Sequence, residues 1–295
     1  MSGFSTSAGN GQLRRFTAEA TATEQTGEGP TRQHRPGFAQ GGCDAYARLP
    51  SGISGLRGQH FPEAGSNGTS LSLQCADGLR YSHRPVEGTV TDLVRAARLQ
   101  KQGTQLFYPV STNLYWQLIT NRKARISELK QLSDKMIAMT RHSATDYLST
   151  LVIDSVKTKY DVYRVQINDL NIRLRMLLNN EMDAAWMPEP YATQARMAKH
   201  VALADSRDKN LQLGVIAFRS KLKREPRRKN QIDRFVKAYD IAVDSINKNG
   251  VHHYAALLTK YYGIDAQTVS NLPKLKYSHA MEPRQRDLKV ADINN

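Results

Sequence analysis

The feature that most constrains this chain is the order of its apolar runs after Val86. From there on, short strand-like runs alternate with stretches whose apolar residues recur at helical spacing. "VEGTV" (86–90) predicts a strand, and Asp92–Gln102 a helix that Gly103 stops. "QLFYPV" and "LYWQLIT" predict strands, "ISELKQL" a short helix or turn, and "KMIAMT" a further strand. A helix over Ala144–Lys157 would set Tyr147, Leu148, Leu151 and Val152 on one face. "VYRVQI" predicts a strand, and Asn168–Asn179 a helix with Ile172, Met176 and Leu177 inward. "DAAWM" reads as a strand ending in "PEP", with Trp186 in the core, and a helix Tyr191–His200 follows. "LQLGVIAF" reads as a strand. Ile232–Asn249 is a long helix, carrying Ile232, Phe235, Tyr239, Val243 and Ile246 at helical spacing, and two more helices close the chain. Such alternation predicts an α/β protein with mostly parallel sheets. Ligands of such sheets sit beyond the C-terminal strand ends, where helix N-termini point. "TVTD" (89–92), "TRHSATD" (140–146), "QIND" (166–169) and "WMPEP" (186–190) fall at such places.

Before Val86 the pattern is absent. Gly, Ser, Thr, Arg and Gln dominate, and no period of 2 or 3.6 lasts, so residues 1–85 are expected to be irregular. At 295 residues the chain can still bury one large core or two lobes. No apolar run reaches the roughly 18 residues of a membrane helix, and the first 30 residues hold no apolar export signal. Cys43 and Cys75 allow at most one disulfide and have no metal-ligand spacing. The net charge of +15 comes almost wholly from residues after 84. A basic balance favours anionic partners, but "KLKREPRRK" (221–229) is not interleaved with stacking aromatics and reads as a solvated face rather than a nucleic-acid site.

"RISELKQLSDKMIAMTRHSATDYL" resembles the start of the second lobe in ABC-transporter substrate-binding proteins of the sulfonate, nitrate and thiamine-precursor-pyrimidine branch. There a turn leads to a strand, then to a Ser/Thr-rich loop, then to a helix whose N-terminus meets the ligand. "LLNNEMDAAWMPEPYATQA" is similar to that family's "l..G.iDA....EP.a..A", and "LGVIAF" with "IDRFVKAYDIAVDSINKN" to its return strand and long helix. The resemblance covers about residues 86–290 in the family's order. It implies a periplasmic-binding-protein-like fold, two α/β lobes joined by crossing strands around a ligand cleft. Residues 113–205 would form the second lobe, and 86–112 with 206–295 the remnant of an incomplete first. It also implies capture of a small anionic or heteroaromatic molecule, delivery to a membrane permease, no cofactor, a monomer, and a place in the periplasm or on the outer face of the cytoplasmic membrane.

On that pattern the candidate ligand residues are Thr91, Asp92, Arg141, Ser143, Thr145, Asn168 and Glu189. Each has a plainer alternative. Ser143 with Asp146 has the spacing of a helix cap, and Asp92, Asn168 and Asp169 also stand at helix starts. Arg141 could clamp an oxyanion bidentately or lie on the surface. Glu189, held between two prolines, could bond a cationic or amide group or bridge to a neighbouring loop. His252 and His253 have no partners at metal spacing and read as surface. An enzyme making the thiamine pyrimidine shares this fold class. That chemistry needs a cofactor lysine or a Cys/His cluster, and no Cys-rich loop or nucleophile–base pair declares itself. A basic nucleic-acid-binding protein is the other alternative, and it would show steep salt dependence.

The family opens with a strand and ligand loop that the first 85 residues lack. Read one base later, the codons for Gly42–Ala47 permit GVMPT, those on to Ile53 permit TLDCLPA, and those from Gln74 permit NAQMDCDTA. "VGVMPTLDCLPAYLA" is what the family's first strand and ligand loop look like. Residues 37–85 are therefore expected to be translated out of frame, with a second shift near 85 restoring it. A natural disordered N-terminus or an unrelated fusion are the alternatives.

Overall fold

The computed structural model describes Leu73–Cys75 and Glu87–Ile293. The expectations for the rest of residues 1–85, including the out-of-frame reading, lie outside the described residues; within them Leu73–Cys75 forms a strand, β1. Two sheets organise the chain. The first has the order β1–β2–β9–β3, with β2 at Gly88–Asp92, β3 at Leu106–Ser111 and β9 at Gly214–Arg219. The second has the order β6–β5–β7–β4–β8, with β4 at Gln117–Thr120, β5 at Met136–Met139, β6 at Tyr163–Gln166, β7 at Ala184–Met187 and β8 at Val201–Asp205. "KMIAM", "VYRVQ" and "DAAWM" thus contribute strands to one sheet.

The sheets are less parallel than the alternation predicted. β1–β2, β5–β6 and β5–β7 are parallel, whereas β2–β9, β3–β9, β4–β7 and β4–β8 are antiparallel. The chain crosses between sheets twice, over residues 112–116 and 206–213, and the strands next to a crossing run against their neighbours. β8 is a strand the sequence reading missed, because the helix there, α4 (Tyr191–Met197), ends earlier than expected. Gly214 opens the way for the first crossing. A Cβ there would meet Thr112 Oγ1 at 2.3 Å and Leu114 Cβ at 2.7 Å.

The helices follow their apolar stripes. Leu93–Lys101 (α1) buries Leu93, Val94, Ala96 and Ala97, and Gly103 stops it at a φ of 92°. Ala144–Ser155 (α2) buries Leu148 and Val152. In Leu170–Leu178 (α3) the buried face is Arg173, Leu174 and Leu177, while Ile172 is 44% exposed. The expected inward Ile172 is corrected because the guanidinium of Arg173 takes the inner position. Pro226–Asn249 (α5) buries Ile232, Tyr239, Ala242 and Val243 against the first sheet's β9 and β3. Ala255–Tyr262 (α6), Ala266–Ser270 (α7) and Gln285–Ile293 (α8) complete the chain. One core cluster spans both sheets. Leu93 and Ala97 of α1 pack there with Leu148 and Val152 of α2, Trp186 of β7 and Val215 of β9. Trp186 is core, as expected, and its indole N–H donates to Ser149 Oγ at 2.9 Å. No helix among the described residues is long and apolar enough to cross a membrane.

Candidate ligand site

The sequence candidates fall into two places. The first is a polar junction where the end of β2 meets the start of α2. Asp92 caps α1, accepting from Arg95 N at 3.0 Å, and the same Oδ1 accepts from Ala144 N of α2 at 3.0 Å. Burial pushes the Asp92 carboxyl above the usual carboxylate range; Arg95 and the donated N–H groups pull the other way. Ser143 is the N-cap of α2 as expected. Its hydroxyl donates to Thr140 O at 2.6 Å, accepts from Thr145 N at 3.1 Å and meets Thr145 Oγ1 at 2.9 Å. Thr145 Oγ1 in turn accepts from Thr140 N at 3.0 Å. Ser143 and Thr145 are buried, and Arg141 is exposed outside them. Thr91 is buried beside Asp92, and its Oγ1 has no hydrogen-bond partner among the described residues.

Arg173 supports this junction from behind, and the sequence reading missed it. It donates from Nε to Ile167 O at 3.0 Å, from one terminal nitrogen to Trp186 O at 2.6 Å, and from the other to Thr140 Oγ1 at 2.8 Å. One arginine thereby ties the ends of β5, β6 and β7 together. Asn168, by contrast, is exposed and accepts from Gln166, while Asp169 caps α3 through Asn171 N and Ile172 N.

The second place is a cavity of about 360 Å³ bordered by both crossings. Glu189 lines it; Arg141, Ser143 and Thr145 do not. The walls are apolar, with Leu114, Ile246, Leu258 and Leu272, and aromatic, with Tyr239, Tyr262 and Tyr277. Burial pushes the phenols of Tyr239 and Tyr277 up to about 12, so they stay neutral donors near pH 7. Lys274 and Lys276 stand exposed at the rim.

Glu189 is held by a closed ring of contacts. Its carboxylate pairs with Arg196 at 2.7 Å and accepts from Thr193 N and Oγ1 at 3.0 and 2.6 Å. Arg196 also donates to the Gln117 amide, which donates to Asp205 at 2.8 Å. Asp205 pairs with Arg207 at 2.6 Å, the Arg207 guanidinium stacks 3.9 Å from the Tyr115 ring centroid, and the Tyr115 hydroxyl returns to Glu189 at 3.3 Å. Burial, then the Glu189 charge, pushes the Tyr115 phenol up. The ring fixes the strand ends of β7 and β8 against the first crossing. No motif announced it, since its members are spread from 115 to 207. No cluster of His, Cys, Asp or Glu able to hold a metal occurs among the described residues. His252 and His253 are exposed.

No family model matches the chain, and no curated protein matches its sequence. Solved structures do resemble it in fold. The periplasmic aliphatic sulphonate binding protein SsuA of Escherichia coli superposes with a TM-score of 0.62 at 14% identity, over 86% of this chain and 84% of that one. The periplasmic nitrate-binding protein NrtA of Synechocystis PCC 6803 gives 0.55 at 10% identity, over 70% and 63%. The desulfurization enzyme DSZB gives 0.50 at 14% identity, over 74% and 81%. The fold is the periplasmic-binding-protein-like α/β fold. Proteins that bind solutes for ABC importers have it, and so does an enzyme.

Proposed function

We propose that this chain is the solute-binding component of an ABC importer, holding a small molecule between its two sheets and passing it to a membrane permease. The observation that carries this reading is the cavity beside Glu189. It has the size of a ligand site, it is bordered by both crossings, and its apolar and aromatic walls hold a few placed polar groups. The likeness in fold to sulfonate- and nitrate-binding proteins supports it. On this reading residues 113–205 form one lobe and residues 86–112 with 206–295 the other, the chain acts as a monomer outside the cytoplasmic membrane, and it binds without turnover.

Thermal unfolding of the full chain against sulfonates, nitrate, pyrimidines and amino acids tests it. A solute at 100 times its dissociation constant should stabilise the fold by about 2.7 kcal/mol, and it should be recovered chemically unchanged. A panel in which no solute shifts the melt would remove the binding reading. Conversion of the bound solute would replace it with the enzymatic one.

A further inference from the structure

An α-helix begins with about four N–H groups that have no partner inside it, and an anion is the natural guest for them. In α2, capped by Ser143, they belong to Ser143, Ala144, Thr145 and Asp146, and the last three are taken from within the chain. Ala144 N donates to Asp92 Oδ1, Thr145 N to Ser143 Oγ, and Asp146 N to Ser143 O. Two of these bonds are local, as in any capped helix. The Asp92 bond is not. It comes from 52 residues away, off the end of a strand in the other sheet.

The Asp92 carboxylate also sits at the start of α1, where it accepts from Arg95 N, with Arg95 Nε 3.7 Å from its second oxygen. One carboxylate therefore lies between two helix N-termini belonging to two sheets, and only 6% of Asp92 is exposed. The two helix N-termini favour an anion there, while burial opposes its charge.

Resting on the solute-binding reading, we propose that Asp92 is a built-in substitute for an anionic ligand. Its carboxylate fills the seat at the N-terminus of α2, latches the two sheets together there, and shuts out sulfonate, sulfate and nitrate. A second anion entering the seat would lose the Ala144 donor to Asp92 and meet a like charge with little water between. The solute carried by this chain then presents something other than an oxyanion to α2, and its contacts are made in the cavity beside Glu189.

Asp92→Ser and Asp92→Asn test this in the full chain. Serine still caps α1, but its side chain is too short to hold Ala144 as well, so the seat empties. Asparagine keeps the shape and one acceptor and removes the charge. Titration with sulfate and with methanesulfonate should show affinity rising from wild type to Asp92→Asn to Asp92→Ser, by about tenfold or more in the last. Amide exchange at Ala144 should be faster in Asp92→Ser than in wild type. If Asp92→Ser does not fold, the gain in Asp92→Asn carries the test. Oxyanion binding no tighter in either variant than in wild type overturns the proposal. That result would leave the solute-binding reading standing, since the latter fails only if no solute of any charge shifts the wild-type melt.

Discussion

The polar junction at Asp92 and the cavity beside Glu189 are opposites. At the junction the Ser143 and Thr145 hydroxyls, the Asp92 carboxylate and the N–H groups of Ala144 and Thr145 satisfy one another and are buried. At the cavity a closed set of polar contacts meets one side of an apolar space through Tyr115, Glu189 and Arg207. The difference teaches that a Ser/Thr-rich helix start is evidence of unmet hydrogen-bonding capacity only until its donors are counted. Here, among the described residues, the buried hydroxyls of Ser143 and Thr145 are met and that of Thr91 alone is not, and the room for a solute lies where no hydroxyl cluster advertised it.

The largest effect should come from removing what holds the junction in place. Arg173 is 1% exposed and donates to Ile167 O, Trp186 O and Thr140 Oγ1 at the ends of three strands. Arg173→Met fills similar volume but leaves two carbonyls and the Thr140 hydroxyl short of a donor. Each buried orphan costs about 1–3 kcal/mol, so a loss of about 3 kcal/mol or more is expected in chemical denaturation. A loss below 1 kcal/mol would mean that the strand ends hold themselves and the junction is not built on this arginine.

Arg173 also shows what the sequence could and could not disclose. The α3 stripe was legible, but a reading by hydropathy placed Ile172 inward, because nothing local indicates that a guanidinium will find three acceptors from distant loops. The strands "MIAM" and "AAWM" and the long α5 were legible, since each depends on its own composition and period. β8 was not: Val201 is 52% exposed, and the strand is fixed by pairing with β4 rather than by an apolar run of its own. In the site, the cap role of Ser143 and Asp92 could be read from spacing. The Asp92–Ala144 bond and the ring through Tyr115, Gln117, Glu189, Arg196, Asp205 and Arg207 could not, because they join residues that only the fold brings together.

A smaller effect separates the two places functionally. Ser143→Ala removes a cap and its bond to Thr140 O, and should cost about 1 kcal/mol, with the Ala144–Asp92 bond intact. If the solute is held at the cavity, its affinity should be unchanged within a factor of about two. A tenfold loss of affinity with only that stability cost would move the solute to the junction and erase the contrast.

The smallest effect, and the one that sharpens the contrast most, is in the response to pH. The two carboxylates are shifted in opposite directions. Burial pushes Asp205 up, but the hydrogen bonds from Arg207 and the Gln117 amide outweigh it and hold the carboxyl below its ordinary 3.8. Burial dominates at Asp92 and raises it above 3.8. A lowered carboxylate stabilises the fold above its unfolded value and loses that contribution as pH falls through the folded one. A raised one does the reverse: the fold has its full share below the unfolded value and loses it as pH rises through the folded value. The comparison is made against asparagine, which mimics the protonated acid without titrating. Wild type should be more stable than Asp205→Asn at neutral pH, and the gap should close on acidification below 3.8. Wild type should match Asp92→Asn below 3.8 and fall behind it as pH rises. Arg207 is more than half exposed, so solvent weakens the first effect, and the sign of each slope rather than its size is the measurement. Slopes of the same sign in urea melts across pH 2–7 would show that junction and cavity rim share one electrostatic environment after all.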